Sequence, residues 1–486
     1  MAENPNNLKT KNRPRLRTLE TNEGERHASW LELFFDLVFV LAVAQIAKVL
    51  VNQSDFDGFV KYLALFVPIW WTWVGFTFYA DRFESDDTAY RVMMFTGMLT
   101  VAALSLTLAN AFSISGDTTF IVCYILVRLV LIVLYIRSAY HIPLARELSA
   151  QFIVGFGIAV LLLLLSLLFA PPIRYVIWSV ALLLELATPF LNLKATRVTP
   201  FDRSHIPERF GLFTIIVLGE AVIATATGAS EVAWNFTSIS AASIGFAMAA
   251  AIWWINFDFV EDTAIKSKSL APRFIYLYGH FFIVASIVAI GIGVEHAIKE
   301  SNDAHLHLSS LALLSGGIAV YLASITVIKL ASENCNLMYA RIASIAVAIS
   351  ILYFSQFLPP LVVLAAYLAI LVVGVWLENH YFEVKEQTET PSLEPCEHEG
   401  EAHIFRPRIA DGCEECVKNN YKWIHLRLCL SCGHTGCCDS SQYKHATKHF
   451  LETGHPIMAS LEQQENWAWC YADEKFVPLL QKTESK

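Results

Sequence analysis

The sequence predicts an all-α polytopic membrane protein of about twelve transmembrane helices, arranged as two parallel six-helix repeats and followed by a small α/β cytoplasmic domain. Three observations predict it. Hydrophobic residues make up 55% of the 486 residues and charged ones only 16%, with a mean hydropathy of +0.47; a soluble chain carries roughly a quarter charged residues. The apolar residues gather in repeated runs of about twenty, each long enough to cross a bilayer as a helix. Eight of the ten cysteines and seven of the fifteen histidines fall after residue 395.

Residues 1–28 are polar and basic (Lys9, Lys11, Arg13, Arg15, Arg17, Arg26). They lack an apolar core and a small-residue cleavage site, so no cleavable signal peptide is expected. Spans are predicted near 29–51, 59–80, 91–113, 118–137, 149–170, 173–191, 208–228, 237–260, 272–296, 307–330, 339–357 and 361–378. Pro171-Pro172 and Pro359-Pro360 divide neighbouring spans, because proline ends a helix. Loops on the N-terminal side hold Arg82, Arg91, Arg137, Arg146, Lys194, Arg197, Arg203, Arg209, Lys266, Lys268, Arg273, Lys329 and Arg341, against Arg174 and Lys299 opposite. The positive-inside rule then places both termini in the cytoplasm of an inner (plasma) membrane, where thiols stay reduced. Cys123 and Cys335 read as small apolar side chains. A net charge of −9 gives no reason to expect nucleic-acid binding.

The repeat is legible in three anchors. IWWTWVGF around Trp70-Trp71 recurs as IWWINFDF around Trp253-Trp254, an offset of 183; Arg91 and Gly97 recur as Arg273 and Gly279, an offset of 182; Asp36 matches Glu220, an offset of 184. Nearly one offset argues for duplication, with six spans per half making the repeats parallel (about 26–195 and 203–380). The tryptophan pairs read as packing or interfacial anchors.

Asp36 lies ten residues after Arg26 and Glu220 eleven after Arg209, which puts each carboxylate roughly 15 Å in from a basic anchor, about half of a ~30 Å core. Arg128, Glu185 and Asp258 are further ionisable residues within spans. Such groups cost on the order of 2.5–3.5 kcal/mol on insertion scales, so they are usually paired or functional. Two readings stay open for Asp36 and Glu220: facing proton or cation sites, or halves of buried ion pairs such as Glu220 with Arg128. Glu32 shares a helix face with Asp36 and is expected to be solvated nearer the interface.

At SWLELFFDLVFVLAVAQIA and HIPERFGLFTIIVLGEAVI, residues 29–47 and 205–223, the chain resembles the low temperature requirement protein A (LtrA) family over about 26–380. The resemblance places Glu32, Phe34, Phe35, Asp36, His205, Glu208, Arg209, Phe210, Gly219 and Glu220 at motif positions. It implies a multi-span membrane protein and supplies little mechanism.

The tail reads Cys396-x-His398, Cys413-x-x-Cys416, Cys429-x-x-Cys432, Cys437, His445, His449, His455 and Cys470. Two Cys-x-x-Cys pairs with spaced histidines supply thiolate and imidazole donors for tetrahedral zinc. His445 and His449, four apart, suit one helix face. His425 and His434 read as surface residues. From 394 to 486, after a polar linker at 381–393, the chain resembles the zinc finger of ubiquitin-specific proteases (UBP type). The resemblance implies one zinc on Cys413, Cys416, Cys437 and His445, and a second on Cys429, Cys432, His449 and His455. Cys396, His398 and Cys470 would hold a third, with Asp473 where the family has its last cysteine. Family members that bind ubiquitin hold its C-terminal carboxylate with aromatics, matched here by Trp423 and Tyr471, and an arginine. Cys437-Cys438-Asp439 stands in that arginine's place, which disfavours ubiquitin binding because an aspartate repels a carboxylate; another peptide or protein partner stays open.

No nucleophile–base pair, metalloprotease motif or phosphate loop points to an enzyme. The leading expectation is an ion- or proton-coupled transporter or channel with a zinc-binding cytoplasmic domain. The alternative is a membrane-anchored zinc-finger sensor without transport.

Overall fold

The computed structural model describes residues 14–16, 28–84, 87–113, 116–198, 205–260, 269–331, 337–388, 396, 398–403, 407–408, 412–462 and 467–477. Arg26, Arg203, Lys266, Lys268 and Cys335 lie outside them. The chain divides into two compact units, Met1–Glu378 and Asn379–Lys486.

The first unit is a helical bundle. Its helices are α1 (Trp30–Asn52), α2 (Phe56–Arg82), α3 (Thr88–Thr107), α4 (Gly116–His141), α5 (Arg146–Ser166), α6 (Ile173–Ala187), α7 (His205–Ser230), α8 (Phe236–Trp254), α9 (Leu270–Lys299), α10 (Leu308–Ala331), α11 (Met338–Phe354) and α12 (Pro360–Thr388). Among the described residues, eleven helices are long and apolar enough to cross a membrane; the twelfth apolar segment, α11, is shorter at 17 residues. Seventeen residues rise only about 26 Å, less than a ~30 Å hydrocarbon core. A 3₁₀ turn over Ser355–Phe357 extends the segment up to Pro359-Pro360.

Polar residues set the helix starts. Ser29 and Glu32 form a reciprocal capping box on α1, Asn235 and Ser238 another on α8, and Asp55 and Asp87 cap α2 and α3. Each satisfies amides that have no partner inside the helix. Helices α2 and α9 are buried along most of their length, and α9 packs against α7, α8 and α10. The outer helices turn Leu99, Leu161, Val176 and Trp376 outward, the apolar exterior that a bilayer requires. The tryptophan pairs differ: Trp70 and Trp71 are buried, whereas Trp253 and Trp254 are about half exposed. After Trp254 the chain passes into a π-helical turn at Ile255–Phe259.

The second unit is built on a five-stranded antiparallel sheet. The strands are β1 (Leu426–Cys429), β2 (Thr435–Cys437), β3 (Ile457–Ser460), β4 (Ala468–Cys470) and β5 (Lys475–Val477), in the order β2-β1-β3-β4-β5. Two short helices accompany it, α13 (Glu414–Lys418) and α14 (His445–Thr453). Leu428, Leu430, Ile457, Ala459, Ala468 and Val477 form a small core that also takes in Cys396 and Cys470. Two glycines position the ligands. A Cβ on Gly436 would stand 2.6 Å from the Ala446 amide, so only glycine lets β2 lie against the start of α14. Gly454 ends α14 at φ +74°, the left-handed C-cap that glycine adopts at least cost, and turns the chain so that His455 follows back toward His449.

Candidate metal centres and a buried ionisable cluster

Three sets of donor atoms converge in the second unit, each set lying within 4.8 Å of one another: Cys413, Cys416, Cys437 and His445; Cys429, Cys432, His449 and His455; Cys396, His398, Cys470 and Asp473. In the first, His445 Nδ1 lies 3.2, 3.3 and 3.3 Å from the sulfurs of Cys413, Cys416 and Cys437, and Cys416 and Cys437 stand 3.9 Å apart. A tetrahedron with bonds of about 2.0–2.3 Å has edges of about 3.3–3.8 Å, so the donors are spaced for one zinc ion. In the second, Cys432 Sγ and His455 Nδ1 each lie 3.3 Å from His449 Nε2. In the third, Asp473 Oδ2 lies 3.0 Å from Cys396 Sγ and 3.3 Å from His398 Nδ1, and Cys470 Sγ is 3.7 Å from that nitrogen.

The electrostatics of the donors act in opposite directions on metal ligation. Burial, with the neighbouring charges of His434 and His455, pushes His449 down to about 4, so at neutral pH its ring is uncharged and has a lone pair to offer. Burial also pushes the Cys429 thiol up to about 11; crowded donors of this kind hold their protons until a cation replaces them.

His434 is not the surface residue its sequence position implies. It is buried, stacks on His449 with ring centroids 4.1 Å apart, and pairs with Glu415 at 2.8 Å. The Cys429-x-x-Cys432 turn reverses at Gly433 and folds it inward; it is the kind of outer group that orients a metal-binding imidazole. Tyr471 stacks on Phe450, and its hydroxyl donates to Asp439 at 3.4 Å. Trp423 lies over Gly412.

The three intramembrane residues singled out in the sequence do not come together. Asp36 sits where α1, α2 and α7 meet, accepting from Arg209 Nη2 at 2.7 Å and from Trp73 Nε1 at 2.8 Å. Arg209 is therefore no interfacial anchor: it is 1% exposed and serves as the buried counter-ion of Asp36. Glu220 stands eleven residues beyond it on α7, about 16 Å along the axis, with Lys48 and Glu295 as charged neighbours. Arg128 does not pair with Glu220. It is fully buried between α4 and α6, with Nη2 2.8 Å and Nε 2.9 Å from the Glu185 carboxylate. Tyr124 donates to the same carboxylate at 2.6 Å. Breaking a buried pair strands the remaining charge. Arg128→Met is therefore expected to cost about 3–5 kcal/mol, seen as a lowered thermal midpoint in detergent that Arg128→Met/Glu185→Leu largely restores.

Around Asp36 the structure adds residues that spacing could not select. His205 at the start of α7 has Nδ1 3.0 Å from Asp81 Oδ1 and Nε2 3.4 Å from Glu32 Oε1, all three side chains being buried. Glu32 is thus not solvated; its capping role at Ser29 holds it against His205 and Arg209. Phe35, Phe210 and Phe213 close an aromatic wall around this network. Only the motif string HIPERF draws attention to His205, Arg209 reads in the sequence as a basic anchor near the interface, and nothing local reveals their partners.

Comparison with known proteins accounts for both units. The family model described as bacterial low temperature requirement A protein (LtrA) matches residues 27–376, and that of the Zn-finger in ubiquitin-hydrolases and other protein matches residues 413–481. The chain is similar to uncharacterized protein RA0937 of Rhizobium meliloti (strain 1021), 29% identical over 384 residues, 73% of this chain and 90% of that protein. It is 38% identical over 68 residues to ubiquitin carboxyl-terminal hydrolase 16 of Rattus norvegicus, a match spanning 13% of this chain and only 7% of the hydrolase. Protein RPA1320 from Rhodopseudomonas palustris, solved in solution by NMR, is 49% identical over 17% of this chain and 81% of that one, with a TM-score of 0.17. Taken with the eleven apolar helices and the converging cysteines and histidines, the two family models identify a multi-pass membrane protein that belongs to the LtrA family and carries a ubiquitin-hydrolase-type zinc finger.

Proposed function

We propose that the helical unit moves protons or other cations through the buried network of Asp81, His205, Glu32, Arg209 and Asp36. The observation that carries this reading is His205 standing between two carboxylates. A neutral imidazole donates from one nitrogen and accepts at the other, so a carboxylate within reach of each nitrogen favours one further proton, held as imidazolium or as a carboxylic acid. Such a shared proton belongs to the group as a whole and moves within it. Asp36 extends the network through Arg209 and keeps its own Oδ2 without a hydrogen bond among the described residues. Glu220, farther along α7, is a second station on the same helix, and Arg128 holds α4 to α6.

Domain assignments follow: 1–28 as a basic segment, 29–380 as the membrane body with repeats at about 26–195 and 203–380, 381–393 as linker, and 394–486 as the zinc domain. The parallel meeting of α1 and α7, the first helix of each half, supports the repeat. Both termini are placed in the cytoplasm of a plasma membrane. The zinc domain takes three ions, the third completed by the Asp473 carboxylate, and they act as structural cross-links. Four protein ligands leave no open position for catalysis. Asp439 directs the domain toward a protein or peptide partner other than the ubiquitin C-terminus.

Ion flux into sealed proteoliposomes holding the purified chain tests the transport reading, under imposed proton, sodium or potassium gradients. Wild type is expected to conduct, and His205→Gln, Asp36→Asn and Glu220→Gln to abolish flux while remaining folded. Equal flux in wild type and His205→Gln defeats the network. Silence of the wild type across all three gradients favours a membrane-anchored zinc-finger sensor.

A further inference from the structure

Beside α7, and separate from the network around His205, lies a cavity of about 490 Å³ between α7, the π-helical turn and α9. The residues that give it character are Glu208, Asn256, Phe257, Asp258, Tyr276 and His280. The π turn at Ile255–Phe259 widens the helix locally, a distortion that recurs at functional sites. It buries Asn256 to 6% exposure, with an Oδ1 that accepts no hydrogen bond among the described residues. Asp258, two residues on, is exposed and has no cationic partner among the described residues. Glu208 brings a second carboxylate from the first turn of α7.

The opposite wall is also an acceptor. His280 Nδ1 lies 2.7 Å from the Tyr276 carbonyl. A carbonyl only accepts, so that nitrogen carries the hydrogen, and Nε2 of the neutral ring keeps its lone pair. No lysine or arginine is among the described lining residues. Among the described residues the lining offers an anion no cationic partner. A bare metal ion is disfavoured: among the described residues Glu208, Asp258 and His280 do not converge as the three metal-spaced sets of the second unit do.

We propose that the cavity binds a small alkylammonium compound. Asp258, Glu208 and Asn256 Oδ1 would receive the N–H groups in charge-assisted hydrogen bonds, and the carbon chain would lie along the rings of Phe257 and Tyr276, which also attract cations. The ammonium could belong to a free amine or to an ethanolamine lipid headgroup, since the chemistry is shared. Binding in this cavity does not depend on whether the His205 network conducts.

The test is calorimetric titration of 1,4-diaminobutane into the full chain held in nanodiscs of phosphatidylglycerol, with tetramethylammonium as a cation that donates no hydrogen bond. Saturable binding of the diamine is expected, at least about tenfold tighter than tetramethylammonium. Asp258→Asn and Gly211→Leu, the latter filling the cavity beside Phe257, are each expected to weaken it at least about tenfold. Asp258 lies exposed at a helix end, so Asp258→Asn is expected to keep the wild-type thermal midpoint. Adding phosphatidylethanolamine distinguishes the sources: competition marks a headgroup site, and unchanged affinity marks a site for a free amine. Absence of saturable diamine binding to wild type, or equal affinity in a folded Asp258→Asn, overturns the proposal.

Discussion

Chelation of metal, or substitution of Cys416 by serine, is expected to unfold the zinc-finger unit while the helical unit stays intact. The unit spans little more than eighty described positions, and its apolar core is a handful of residues around Leu428, Leu430, Ile457 and Val477. Domains of this size draw a few kcal/mol at most from such a core. Structural zinc supplies about 10–16 kcal/mol of apparent binding free energy at neutral pH, as much as the ~5–15 kcal/mol that holds a typical domain. Loss of the ion at Cys413, Cys416, Cys437 and His445 also leaves buried thiols and an imidazole with no reason to converge. Limited proteolysis of the full chain in detergent, read by mass spectrometry, should show cuts appearing between 412 and 477 after chelation, with helical circular dichroism nearly unchanged. Metal content of the untreated protein should be three zinc ions per chain, falling to two when Asp473 is replaced by alanine. A protease-resistant finger after complete zinc removal would refute the structural role.

The second large effect belongs to Arg209. Replacing it with methionine keeps most of the volume but leaves Asp36 buried against Trp73 with no counter-ion, at a cost of about 3–5 kcal/mol. Asp36→Asn removes the charge while keeping the acceptor for Trp73 Nε1. In the Arg209→Met background it should therefore recover much of that loss, a coupling typical of groups in one network. The check is a double-substitution cycle on thermal unfolding in a fixed detergent. Additive costs would mean that the 2.7 Å contact carries little of the stability. Flux measured on the same set separates the roles: a stable but non-conducting double variant identifies transport chemistry, and a stable conducting one identifies a structural pair.

The helices and the convergence of the cysteine and histidine donors were legible for physical reasons of different kinds. A bilayer demands about twenty apolar residues per crossing whatever lies beside them, so the spans can be read from the chain alone; even the short α11 betrays itself only by its length. Metal donors are restricted to few residue types at short separations, so the grouping expected from family resemblance is the grouping in which the side chains converge. The outer layer was not legible: His434 and Glu415 touch the second set through a turn whose direction depends on Gly433 at φ +78°.

Sequence by itself determined which segments are long and apolar enough to cross a membrane and which cysteines and histidines could serve as metal donors. Only tertiary structure decided who meets whom. Asp36 finds Arg209 at 173 positions' distance, and Arg128 finds Glu185 at 57. His205 comes to rest between Glu32 and Asp81. Hydrophobic periodicity fixes the depth of a residue along its helix, but in a helix apolar on all sides it carries little information about rotation. The partner across a helix interface is set by rotation and by the order in which helices pack, and both are properties of the assembled bundle.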